Sequence, residues 1–179
     1  ANLAAHTLHS GSAAADGCVM GSFTCGAARR VQHSLVRRTW PCGHGLPSGY
    51  LTYAEMTAKL QGMAKAHPHL VTLEDVGDTH LKKMGQAPTH DIWSISITNK
   101  KSLGRKPSLM LTAGVHAREL APVELVMKLA EELTSKYGSD PQITQLLDTR
   151  EVVLLPMVNV DGRVEVEKGD SWKRKNMNT

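Results

Sequence analysis

Aromatic residues are scarce: three Trp, three Tyr and one Phe make up 4% of the 179 residues. A core in this chain has to be assembled mainly from Leu, Val, Ile, Met and Ala. Cysteine is also sparse. Cys18, Cys25 and Cys42 are odd in number and irregular in spacing, which is neither a zinc knuckle nor a closed disulfide framework, and they leave the redox compartment unread. No uninterrupted apolar run approaches the roughly 20 residues that a bilayer-spanning helix needs, so such a helix is excluded. Strong charge of one sign is missing too. Arg29, Arg30, Arg37 and Arg38, set against Asp16 alone, account for +3 of the net charge of +4, and the rest of the chain is nearly neutral. A nucleic-acid footprint is therefore not indicated. What remains is ordinary: 41% hydrophobic and 21% charged residues, and a length suited to one domain.

Two regions differ in character. Residues 1–47 are rich in Ala, Gly, Ser and His and hold no sustained period of 3.6 or 2, which predicts a disordered or pro-segment-like tail. From residue 48 the pattern sharpens. Thr52 and Glu55 form a T-x-x-E capping box, followed by Met56, Leu60 and Met63 at helical spacing until His67-Pro68 ends the run. Val71–Val76 reads as a short strand. Over Asp91–Thr98, Trp93, Ile95 and Ile97 alternate with polar residues, the pattern of a half-buried strand. Lys100–Lys106 reads as a solvated basic turn.

Leu109–Val115 is almost wholly apolar, as a central strand covered on both faces would be. A helix follows, with Pro122 in its first turn and Leu125, Val126, Leu129, Ala130 and Leu133 along one face. Asp140-Pro141 starts a shorter helix with Ile143, Leu146 and Leu147 inward, and Val152–Val158 is a second continuous apolar strand. Strand, helix and strand in this order predict a βαβ unit and an α/β body.

Ligands in open α/β sheets gather beyond the carboxyl ends of parallel strands. Two loops leave those ends here: Gly114-Val115-His116-Ala117-Arg118-Glu119 and Asn159-Val160-Asp161-Gly162. The imidazole of His116 and the carboxylate of Glu119 are both natural zinc donors, and three positions on a turn let them converge on one ion. The same spacing also suits a loop histidine beside a carboxylate that favours a helix N-terminus.

The segment Gly114–Leu120 resembles the zinc-binding H-x-R-E segment of the zinc metallocarboxypeptidases of the carboxypeptidase A/B type. Tyr50–Pro68 is similar to that family's opening helix, and Asn159–Gly162 to its N-P-D-G turn. Trp172-Lys173-Arg174-Lys175-Asn176 is similar to its W-R-K-[NT] segment. The resemblance implies an incomplete mixed, largely parallel sheet with flanking helices, residues 48–179 forming the N-terminal part of a catalytic domain. It implies zinc as cofactor, His116 and Glu119 as metal ligands, and Arg118 lining the substrate subsite. Arg174 would bind the scissile carbonyl and stabilise the oxyanion. The substrate would be a peptide or protein C-terminus, with no nucleic acid or membrane partner, and a secreted or periplasmic setting is slightly favoured.

The departures are specific. Val160 stands where the family has Pro, and Lys173 intervenes between Trp172 and Arg174. The family's third zinc ligand, its Asn-Arg carboxylate anchor, its phenol and its general-base glutamate all come later in order and have no position in this chain. The chain thus reads as a fragment, inactive by itself. His67, His69, His80 and His90 match none of the family's ligand positions and read as surface residues, His67 as a helix-end histidine. Two other readings stand beside the peptidase. One is a non-catalytic peptide-binding or structural module on the same fold. The other is a related zinc amidohydrolase, which the Arg inside His-Ala-Arg-Glu disfavours.

Overall fold

The structure, a computed structural model, describes Leu46, residues 49–87 and residues 89–178. The expected tail, residues 1–47, otherwise lies outside the described residues, and so do the three cysteines.

Helix α1 (Tyr53–Ala66) begins at the predicted capping box. The Thr52 hydroxyl accepts from the Glu55 N–H, and the Glu55 carboxylate accepts from the Thr52 N–H, so two orphan donors are satisfied reciprocally. Met56 and Leu60 are buried, and His67 closes the helix with its N–H on the Met63 carbonyl. Strands β1 (Val71–Asp78) and β2 (Asp91–Ile97) then pair antiparallel, joined through the short helix α2 (His80–Lys83). Strand β3 (Ser108–Thr112) leads into the crossover helix α3 (Ala121–Lys136). Helix α4 (Pro141–Thr149), strand β4 (Glu151–Leu155) and helix α5 (Val160–Glu167) follow.

The sheet order is β1-β2-β4-β3. Strands β3 and β4 pair parallel, Leu111 opposite Leu154, as the βαβ pattern predicts. The sheet is mixed, but its parallel character is confined to that pair, because β2 joins β4 antiparallel. The apolar centre is built from aliphatic side chains: Leu60, Ile95, Ile97, Val123, Ala130, Leu147 and Leu154 are essentially inaccessible.

Four expectations need correcting. Leu109–Val115 is not a strand covered on both faces. Among the described residues β3 is an edge strand, with Leu109 56% and Met110 61% exposed. Its composition is that of a central strand, but among the described residues only Leu111 of the strand packs against the core. Leu125 points outward at 71% exposure, because the buried face of α3 runs through Val123, Val126, Met127, Ala130 and Leu133, and Leu125 lies two residues out of phase. Leu146, likewise expected inward, is 41% exposed. Finally, the basic turn is not merely solvated. Lys100 Nζ donates to the carbonyls of Pro68 and Val71, and Lys106 Nζ to those of Asn99 and Leu147, so both ammonium groups satisfy backbone carbonyls of the surrounding loops, of β1 and of α4.

Helix α4 is anchored by one carboxylate. Asp148 accepts from Asn99 Nδ2 at 2.7 Å and from the Tyr137 hydroxyl at 2.8 Å. These bonds, that from Asn99 foremost, hold its pKa below the usual carboxylate value. A group depressed by folding binds protons more readily when unfolded. Its stabilisation is therefore present above the unfolded pKa and disappears as pH falls through the folded one. Asp148→Asn is expected to be less stable than the parent at neutral pH, the two denaturation midpoints converging as pH falls below the ordinary carboxylate range. A midpoint difference that stays constant between neutral and acid pH would remove Asp148 from this role.

Candidate metal and substrate site

The two loops expected beyond the strand ends are bonded to each other. Beyond Thr112 and Leu155 the chains continue to pair: the Ala113 N–H donates to the Leu155 carbonyl, the Val158 N–H to that of Ala113, and the Asn159 N–H to that of Gly114. Gly114 makes the turn possible. It sits at φ +62°, and a Cβ there would stand 3.1 Å from the Met157 backbone, so both conformation and space call for glycine.

On this turn His116 Nδ1 lies 2.8 Å from Glu119 Oε1, both side chains reaching solvent. The pair therefore converges beyond the end of β3. As a donor set, one imidazole and one carboxylate with meeting tips and an open side suits zinc, leaving further coordination positions to other ligands. Ala117, between them, is buried, and its N–H donates to the Arg174 carbonyl at 3.1 Å. Residues 174–175 are thereby seated against the His116–Glu119 loop, and the Arg174 side chain is exposed. Arg118 lays its guanidinium over the Trp172 ring, 5.5 Å from the centroid. The cation–π contact holds Arg118 at the surface beside the loop without neutralising it.

Asn159 is the residue whose part in this arrangement is least visible from sequence. It is 7% exposed and caps α5, its Oδ1 accepting from the Gly162 N–H at 3.1 Å. Its Nδ2 donates to the Val115 and Arg174 carbonyls, each at 3.3 Å. Gly162 has no room for a side chain, since a Cβ would lie 2.9 Å from the Lys175 carbonyl. The sequence marks Asn159 only as part of a loop at a strand end and of a turn similar to N-P-D-G, which does not say which groups its amide meets. Asp161 is buried beside it and accepts from the Leu81 N–H, tying α5 to α2.

The other ionisable groups lie elsewhere. Asp75, Asp78 and Asp91 approach one another closely enough to hold an ion, but Lys82 Nζ already lies among them, 2.5 Å from Asp78 and bonded to Asp91. These bonds, first that with Asp78, raise the lysine pKa far above its ordinary value. Of the earlier histidines, His69 is exposed. His67, His80 and His90 are half-buried rather than fully at the surface, and the His90 ring stands edge-on to Tyr53, 4.6 Å between centroids.

Comparison with known proteins shows the family. The zinc carboxypeptidase family profile matches residues 56–179. The chain is 29% identical over 139 residues to a zinc carboxypeptidase of Saccharothrix mutabilis, covering 75% of this chain and 30% of that protein. It is 41% identical over 80 residues to an inactive metallocarboxypeptidase of Sclerotinia sclerotiorum, covering 44% of this chain and 13% of that protein. Carboxypeptidase A from Helicoverpa armigera superposes with a TM-score of 0.62 at 25% identity, over 73% of this chain and 29% of that one. The fold and loops thus define a metallopeptidase-type α/β domain in part. The chain belongs to the zinc carboxypeptidase family, and it spans less than a third of the length of these relatives.

Proposed function

We propose that this chain is the metal-binding, N-terminal part of a carboxypeptidase domain that hydrolyses C-terminal peptide bonds. The observation that carries the reading is the meeting of His116 Nδ1 and Glu119 Oε1 at 2.8 Å, on a turn whose buried Ala117 N–H holds the Arg174 backbone. His116 and Glu119 supply two donors for zinc. When bound there, zinc acidifies a water and polarises a carbonyl. Arg174 presents a permanent cation on the segment seated against that loop, suited to a developing oxyanion and to holding the scissile carbonyl. Arg118, supported by Trp172, binds the substrate chain beside the metal; its planar fork suits peptide carbonyls and carboxylates.

The test is metal titration of the polypeptide 1–179, followed by tryptophan fluorescence. With two protein donors, zinc binding is expected to be weak, and His116→Ala or Glu119→Ala to abolish it. The same polypeptide is expected to release no C-terminal amino acids from peptide substrates. Zinc binding that survives both substitutions would place the metal elsewhere, and release of amino acids by the polypeptide would place the active site elsewhere. The inactive fungal relative favours one second reading, a peptide-binding module without catalysis. Peptide binding that is indifferent to zinc and to both substitutions would select it.

A further inference from the structure

The proposed site is made of two backbone segments distant in sequence, 115–119 and 174–175, and a single amide side chain joins them. Asn159 Nδ2 reaches the carbonyl of Val115, the residue before His116, and the carbonyl of Arg174. The orientation of this amide is unambiguous. Its other atom faces the Gly162 N–H, which needs an acceptor, while both carbonyls need a donor. The Arg174 carbonyl thus receives two donors, Asn159 Nδ2 and the Ala117 N–H. Gly162 lets the Lys175 carbonyl come close beside them.

We propose that Asn159 is a positioning residue: its amide clamps the arginine-bearing segment to the metal loop, setting His116 and Arg174 in one frame. This rests on the reading of His116 and Glu119 as metal donors. The helix cap and the clamp use different atoms of the side chain, so they can be separated. Asn159→Ser keeps a hydroxyl at the N-cap, a residue type that caps well, but is too short to reach the two carbonyls. Asn159→Asp keeps the acceptor and loses both donors.

Amide hydrogen exchange at Ala117 and Gly162 is read by NMR on the full chain, with zinc titrated in parallel. Both variants are expected to speed exchange at Ala117 by about tenfold while Gly162 stays protected in at least one of them. Zinc affinity is expected to fall by roughly tenfold, the scale on which groups supporting metal ligands act. Ala117 protection and zinc affinity unchanged in both variants would overturn the clamp. Ala117 and Gly162 losing protection together in both would also overturn it, reducing Asn159 to a helix cap. A parent chain that binds no zinc would instead sink the metal reading, and the exchange contrast between Ala117 and Gly162 would still decide the clamp.

Discussion

Arg163→Ala is expected to destabilise the protein by about 3–5 kcal/mol, the scale of breaking a buried charge pair from one side. Arg163 is 1% exposed, as inaccessible as Met56, Leu70 and Met127 of the apolar core. Its Nη2 donates to the Leu51 carbonyl at 2.6 Å, and its Nε lies 3.4 Å from Glu167 Oε1. Glu167 in turn accepts from the Tyr53 N–H, and Glu124 from the Leu51 N–H. Burial lowers the arginine pKa and raises that of Glu167, each group being pushed toward its neutral form and held charged by the other. The cluster fixes the entrance of α1 against α3 and α5, and truncation would leave a carboxylate half-buried without its cation. Urea denaturation of the single variant and of Arg163→Met with Glu167→Gln would check this. The pair, which removes both charges, is expected to recover much of the loss. A single variant that costs under about 1 kcal/mol would show that the cluster is incidental.

Leu154→Ala is expected to cost about 2–5 kcal/mol, with the denaturant dependence of unfolding unchanged. Leu154 is inaccessible on β4, opposite Ile95 on β2 and Leu111 on β3, so both neighbouring strands lose packing at once. The cavity would open at β4, whose chain continues through Met157 to Asn159, and the loss of order should reach the candidate site. Exposed Leu109 on the edge strand provides the contrast: Leu109→Ala is expected to change stability by under about 1 kcal/mol. Equal effects at the two positions would mean that β3 is covered.

Much of the site was legible because its signals are local. The capping box that starts α1 acts within four residues, and His116 and Glu119 are near enough in sequence that one turn brings them together. The parallel pair β3–β4 followed from strand, helix and strand order, which leaves few ways to cross over. Arg163 gave no such signal: in sequence it is an arginine between a glycine and a valine, and only the closing of α1, α3 and α5 around it makes it a core residue. Leu125 and Leu109 misled for the same reason, since apolar composition states what a residue prefers and not which neighbours the fold supplies.

The chain's sequence alone determined its class, its α/β alternation and the positions of its chemically competent side chains, because these depend on residue type, period and spacing. Tertiary structure alone decided that β2 joins β4 antiparallel, that Lys82 occupies the carboxylate cluster and that the Asn159 amide bonds the carbonyls of Val115 and Arg174. Each of these depends on groups far apart in the chain meeting at hydrogen-bonding distance, and no local pattern encodes such a meeting.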